Sequence, residues 1–246
     1  MEFNTIPGEG PFHQALLDYL CDSAGPNHIF KGYRRAFFRP AADADTYLCA
    51  ALSGKHRKMI RRQEKQLSAI GRLEWDAITP HDDVAVRVKE FLQLEAGGWK
   101  GREGSALASN EAERNYFEAI VTEAFRRGQL MMLALRLDGR PIAYKCGFLA
   151  GRGLFTFKIA FDENYACHSP GVLLEVENIR RLHTQSRIEW VDSCTGSFDS
   201  MFKRLWLSQR TIREVIVSTG QAPGDLVVSM IPLLKWLNRK IGRRKG

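Results

Sequence analysis

The most regular stretch of the chain lies at its centre. Along QLMMLALRLDGRPIAYKCGFLAGRGLFTFKIAFD the apolar positions recur with period two, interrupted at Asp138-Gly139 and at Gly151-Arg152-Gly153. Such a pattern predicts strands, and both interruptions carry the residues that tight hairpins demand, so three consecutive antiparallel strands are expected. Before this meander the spacing is mostly helical. PFHQALLDYLCDS predicts a short helix and GYRRAFFR a strand. DTYLCAALSGKHRKMIRRQEKQLSAIG predicts one long helix with Leu48, Leu52, Met59, Ile60 and Leu67 on its apolar side and Gly71 as its stop. LEWDAIT reads as a short strand. HDDVAVRVKEFLQLEAGGW reads as a helix whose acidic first turn suits the macrodipole and which Gly97-Gly98 end. KGREGSALASN is expected to be a polar loop, with Asn110 capping the helix EAERNYFEAIVTEAFRRG.

After the meander comes a helix from 169 to about 185, then the strand IEWVDSC, a short helix in SFDSMFKRLW and a last strand in QRTIREVIVST. The tail, DLVVSMIPLLKWLNRKIGRRKG, predicts an amphipathic helix with a basic end. Helices, a meander, one crossing helix and further strands make a mixed α/β fold of the α+β kind. The expected organisation is an N-terminal helix and strand over 1–45, a main domain over 46–220 and the basic amphipathic helix over 221–246.

Composition narrows the partners. With 246 residues, 44% of them hydrophobic, the chain can bury a sizeable core, and a net charge of +8 favours phosphorylated cofactors, nucleic acid or an anionic membrane face. The five cysteines are scattered and form no C-x-x-C pair, which argues for a reducing compartment and against a disulfide framework or zinc site; no metal is expected. The N-terminus shows no secretory signal and no apolar run is long enough to span a bilayer, so a cytoplasmic protein is expected. Two placements suit the tail. It docks on the protein with a frayed basic end, or it lies peripherally on the anionic inner face of a membrane with Trp236 at the interface. The run KHRKMIRRQEK is expected to be a solvated helix face with partial ion pairing.

The junction HSPGVLL, between the third strand of the meander and the next helix, carries the strongest chemical signal. Ser169 stands at the N-cap and Pro170 at the first helical position, an order that a helix start prefers. Proline has no N–H, so the donors expected to be free belong to Gly171, Val172 and Leu173. Aligned amides of this kind attract an anion such as a diphosphate; the structural alternative is a plain helix cap.

A meander feeding such a helix, followed by a further strand, resembles the GNAT-type N-acyltransferases. SGKHRKMIRRQEKQL, FLQLEAGGWKGREGSAL, LRLDGRPIAYKCGF, KIAFDENYACHSPGVLL and WVDSCTGSFDSMFKRLW, in this order, resemble one branch. These are the CelD/BcsL-like acetyltransferases of cellulose and exopolysaccharide synthesis, relatives of FemAB/FemX. The resemblance implies a largely antiparallel twisted sheet flanked by helices, with acetyl-CoA or another acyl-CoA as co-substrate. It places the pyrophosphate at the helix start, on His168, Ser169, Gly171, Val172 and Leu173. With Gly171 as the middle glycine of the R/Q-x-x-G-x-G/A signature, His168 stands where Arg or Gln is usual and Leu173 takes the last place.

The implied reaction is acyl transfer to an amine, on a small molecule or a glycan. A base must take the amine proton, a backbone N–H must steady the oxyanion, and the leaving thiolate needs a proton. Asp162, Glu95 and Asp192 are candidate bases and Tyr165 a candidate acid; Trp99, Lys100, Lys158 and Lys203 are candidates for the acceptor side. Each has a structural alternative: an Asx-turn from Asp162 to Asn164, pairing of Glu95 with Lys100 or the Arg-rich helix, an Asp192–Lys203 ion pair. The Fem relatives imply the other donor, aminoacyl-tRNA, with the basic helix meeting RNA phosphates. A non-catalytic module binding an anionic polymer is the third reading.

Overall fold

A computed structural model of the chain describes residues 1–23, 25–196 and 200–242. In chain order the elements are β1 (Glu2–Pro7), α1 (Pro11–Asp22), β2 (Asn27–Ile29), β3 (Tyr33–Phe38), α2 (Ala44–Ala51), α3 (Gly54–Ser68), β4 (Leu73–Ala77), α4 (Val84–Gly97) and α5 (Trp99–Arg102). They continue with α6 (Glu111–Arg126), β5 (Leu130–Leu137), β6 (Arg140–Ala150), β7 (Gly153–Phe161), α7 (Pro170–Thr184), β8 (Trp190–Asp192), α8 (Ser200–Leu205), β9 (Ser208–Val217) and α9 (Gly224–Gly242). Short 3-10 turns occupy Leu107–Ser109 and Glu163–His168. The first residues of the expected helix in SFDSMFKRLW, 197–199, and the basic end 243–246 lie outside the described residues.

The chain divides into two compact units, Ala36–Ser208 and Met1–Arg35 with Gln209–Gly246. In the larger unit β4, β5, β6 and β7 form the expected antiparallel meander. Asp138 and Gly139 both take positive φ, 50° and 78°, the geometry of a type I′ hairpin turn. The Asp138 carboxylate also accepts the Arg72 N–H at 2.8 Å, which ties the start of β4 to the same turn. β8 then joins β7 in parallel, and the end of β3 joins β8 antiparallel.

Both faces of this sheet are covered. Leu133, Leu135 and Leu137 of β5 enter a core shared with α2, α3, α7 and α8, while Met132 and Ala134 enter one shared with α4 and α6. A strand covered on both sides reads as a near-continuous apolar run, so β5, LMMLALRL, departs from the period-two pattern expected of it. The architecture is the expected mixed α/β one, a largely antiparallel twisted sheet flanked by helices.

Three local expectations are corrected. The long helix from Asp45 to Gly71 is two. Leu52 is extended and Ser53 accepts the His56 N–H at 3.3 Å as the N-cap of α3. A Ser-Gly pair favours a cap over a helix interior, and Arg57 donates to the Cys49 and Leu52 carbonyls at 3.0 and 3.2 Å at the end of α2. This break resets the helical phase, so Ile60, Gln63 and Leu67 point inward and Met59 is 45% exposed. The expected polar loop after Gly98 contains α5 and a 3-10 turn, with Ala106 and Leu107 buried. The acidic first turn of α4 is instead its cap: Asp83 accepts the Ala85 N–H at 2.9 Å, and Asp82 turns back to Thr79 and Arg87.

In the smaller unit β1 and β2 both pair antiparallel with β9. Neither short strand is signalled by alternation; each exists because β9 offers an edge. α9 packs on β2 through buried Val228 and through Lys235, whose Nζ lies 2.9 Å from His28 Nε2 and 3.8 Å from the centre of the Phe30 ring.

Candidate functional site

The site is built around the last half of β7. Its pairing with β6 slips by one residue between Cys146↔Lys158 and Gly147↔Thr156, so Phe157 is an extra, bulged residue. Its pairing with β8 covers only Gly153–Phe155. Gly153 is needed there, because a Cβ would stand 2.2 Å from the Trp190 ring. From Thr156 onward, among the described residues, no strand covers the edge that β8 leaves. β8 ends at Asp192, opposite Phe155, so the pairing of β7 on this side stops there. Just past the end of that pairing, Thr156 is 3% exposed and its hydroxyl has no partner among the described residues.

β7 runs into Asp162, whose carboxylate accepts the Asn164 N–H at 2.9 Å, the Asx-turn anticipated for it. The 3-10 turn leads to Ser169, which holds a left-handed conformation with φ 50° and ψ 53°. For a residue with a Cβ this backbone costs on the order of 1 kcal/mol, and it is held by Gln63 of α3, whose amide donates to Ser169 Oγ at 3.0 Å and to the Cys167 carbonyl at 3.4 Å. Ser169 makes no side-chain cap. Its carbonyl accepts the Val172 and Leu173 N–H at 2.9 and 3.1 Å, so two of the three amides expected to be free are spent in the first turn. Among the described residues the Gly171 N–H makes no such bond. Gly171 is buried, yet a Cβ there would meet Phe161 and Ile159 at an ordinary 3.9 and 4.0 Å.

A groove opens at this helix start. His56, Met59 and Gln63 of α3 form one wall, Ser169 and Val172 the floor, Met201 and Arg204 of α8 the other wall. At the junction the buried polar atoms Gln63 Oε1 and His168 Nδ1 lack partners among the described residues. Those orphaned atoms, the unspent Gly171 amide and the positive helix end are groups that a phosphorylated ligand satisfies. Above them Lys55, Lys58, Arg61, Arg62 and Lys65 are exposed, and none forms an ion pair among the described residues, so the expected partial ion pairing of this run is absent there.

A second cleft lies toward α4 and α5, lined by Glu95, Gly98, Trp99, Lys100, Glu163 and the Ile159–Phe161 end of β7. Glu95 is 3% exposed. One of its oxygens accepts Lys158 at 2.9 Å and Lys100 at 3.1 Å; the other accepts the Leu107 N–H at 2.9 Å. Burial pushes this carboxyl up, but the Leu107 amide and the two ammonium groups outweigh it and hold it below its ordinary value. Gly101 lets α5 fold back: a Cβ would stand 1.8 Å from the Ala96 carbonyl oxygen. Trp99 is 47% exposed at the rim, with Lys100 Nζ 5.9 Å from its ring centre.

Of the residues singled out in the sequence, Glu95, Trp99, Lys100 and Lys158 therefore share one cleft, and Ser169 and Val172 line the other. Asp162 sits between them at the end of β7, with Tyr165 half-buried after it. Asp192 is buried at the end of β8, where it accepts the Cys194 N–H at 2.9 Å; Lys203 is exposed on α8. Glu163 and Gln63 were not anticipated. Glu163 accepts the Trp99 N–H and Arg102, both at 2.7 Å, and clamps α5 onto the end of β7. Its adjacency to Asp162 in FDEN was the available signal. Beneath the α7 start, Lys145 and Glu175 pair at 2.5 Å with neither side chain exposed, and Glu175 also accepts Asn178 and Trp206 at 3.1 and 3.0 Å. A lone lysine inside AYKCGF was the signal for that network.

The family model described as an acetyltransferase (GNAT) domain matches residues 54–204, more than half of the chain. The chain belongs to the GNAT family. The match runs from α3 to α8 and so spans the residues named above for both clefts and the end of β7. A comparison with curated proteins finds no match. Among solved structures, this GNAT chain is similar to FemX (TM-score 0.59, 11% identity, covering 88% of this chain and 71% of FemX). It is also similar to L-PGS from Bacillus licheniformis (TM-score 0.55, 14% identity, 100% of this chain and 74% of that one). A conserved protein of unknown function from Bacteroides thetaiotaomicron VPI-5482 has a TM-score of 0.57 at 12% identity, covering 84% of this chain and 67% of that one. At these identities the likeness is one of fold. Among the described residues no helix is long and apolar enough to cross a membrane.

Proposed function

We propose that this GNAT chain is an N-acyltransferase that moves an acyl group, acetyl in the simplest case, from acyl-coenzyme A to an amine. The observation that carries the reading is the β7 edge left without a strand past Phe155, on the segment that leads to the α7 start, within a chain of this family. Acyl-CoA supplies an activated thioester carbonyl. The Gly171 amide, with Gln63 and His168 beside it, would hold the phosphates, and the open edge of β7 past Thr156 would align the acyl-bearing arm. Backbone N–H groups at the Phe157 bulge are the donors available to a carbonyl oxygen that gains charge as the amine attacks.

The acceptor amine would approach from the cleft of Trp99 and Glu163. We assign the base role to Asp162, because one of its oxygens takes no bond among the described residues, whereas Glu95 is saturated by three donors. Tyr165, which follows on the same turn, is the group placed to return a proton to the thiolate. Lys203 stands on α8, whose Met201 and Arg204 line the donor groove; Asp192, buried at the end of β8, has no role in this reading. The ordered motifs from the basic helix to the K-x-x-W helix support the CelD/BcsL-like branch, and with it an acceptor in exopolysaccharide or cell-envelope synthesis and a cytoplasmic place of work.

A second reading has a specific observation behind it. The unpaired cationic face of α3 borders the donor groove, and FemX shares the fold. Such a face suits a transfer-RNA-borne aminoacyl donor. Calorimetry separates the two: the first requires saturable acetyl-CoA binding, the second salt-sensitive tRNA binding without it. Asp162→Asn should leave acetyl-CoA affinity intact and slow transfer by roughly 10²–10⁴-fold, the range for loss of a positioned base. An unchanged rate removes Asp162 from the mechanism.

A further inference from the structure

Among the described residues, helix α9 docks one side on β2 and leaves an apolar stripe exposed on another. Val228 is buried and Lys235 reaches His28 and Phe30, which docks that side on β2. Leu226, Val227, Met230, Leu233, Leu234 and Leu237 lie at i, i+1, i+4, i+7, i+8 and i+11, a single stripe on another side. Each is between 39% and 63% exposed. Trp236, at its flank, is 51% exposed. Among the described residues the stripe is left largely uncovered.

The charge that accompanies it is one-sided. From Asn238 the sequence reads NRKIGRRKG, with five cations and no acid. An apolar stripe followed by clustered cations is complementary to a surface that is apolar within and anionic at its boundary. A second copy would bring the same run of cations, against a single acid in the helix, Asp225. We infer that α9 seats the protein on an anionic lipid surface, lying in the plane of the headgroups with the Leu226–Leu237 stripe inward. Stable peripheral attachment takes two weak signals, here apolar burial and electrostatic attraction, and neither suffices alone. The inference is independent of the reaction proposed for the site.

The full chain would be sedimented with vesicles of phosphatidylcholine alone and of phosphatidylcholine with phosphatidylglycerol. Binding is expected to the mixed vesicles only and to fall as salt is raised. The pair Leu233→Glu and Leu234→Glu, at positions already half-exposed, should weaken partition by more than about tenfold while leaving the melting temperature unchanged. Arg243→Gln with Arg244→Gln and Lys245→Gln should weaken it by about tenfold or more, and abolish the preference for the anionic vesicles. Equal binding to both vesicle types, or binding to neither, overturns the inference. So does a concentration-dependent dimer, seen by light scattering, that the Leu233→Glu and Leu234→Glu pair abolishes, because the stripe is then a contact between copies.

Discussion

Replacing Glu95 by Gln tests the most heavily bonded carboxylate in the acceptor cleft. Its side chain is 1% exposed and faces two ammonium groups, Lys158 at 2.9 Å and Lys100 at 3.1 Å, each on a side chain 24% exposed. Breaking a buried pair by removing one partner costs about 3–5 kcal/mol. Glutamine can keep the Leu107 bond, and water reaching the two lysines offsets part of their loss, which leaves about 2–3 kcal/mol. For a chain of this size that corresponds to a fall of roughly 5–10 °C in Tm. The pH dependence provides a second, independent reading. Glu95 is held below its ordinary value of 4.5, so its stabilisation is present above that pH and lost as pH falls through the lower folded-state value. The difference between wild type and E95Q should therefore be widest near neutrality and should close as the pH drops below 4.5. Thermal denaturation followed by circular dichroism across this range measures both. Equal melting temperatures at neutral pH, or a gap that widens on acidification, would refute the clamp.

Two further substitutions examine the same framework. Gly101→Ala should lower stability by about 2–3 kcal/mol in urea titrations, because the new Cβ overlaps the Ala96 carbonyl backbone. Gly97→Ala, with nothing within 4 Å of its Cβ, should gain about 0.5 kcal/mol; equal effects at the two sites would contradict the tight α4–α5 return. Lys145→Met should lose about 3–5 kcal/mol by leaving Glu175 charged and buried, and adding Glu175→Gln, which can still serve Asn178 and Trp206, should recover most of it. Additive losses in that double-mutant cycle would mean that the pair is not coupled.

Signals carried by neighbouring residues were legible in the chain itself. Asp138-Gly139 announces its hairpin because two positive φ values in succession suit these residues, and Asn110 announces α6 because its side chain serves the Ala112 and Glu113 amides. The Asx-turn of Asp162 was readable for the same reason. The break at Ser53 was overlooked because apolar spacing continues through it, and periodicity outweighed a local cap that tertiary packing then exploited. The junction at Ser169 shows both outcomes. Its position at the head of α7 was legible, but its left-handed backbone and the spending of the Val172 and Leu173 amides on its carbonyl were not.

What the sequence determined by itself is therefore the central meander with its hairpins, the Asn110 cap, the helix after the meander and the cationic face of α3, each a property of residues within a turn or two of one another. Tertiary structure alone decided where the pairing of β7 with β8 ends, which lysines close on Glu95 and that Gln63 holds Ser169. Glu95 and Lys158 are 63 positions apart, and Gln63 and Ser169 are 106 apart. No periodicity links such partners; only the stacking of α3, α4 and α7 on the two faces of one sheet brings them within bonding distance.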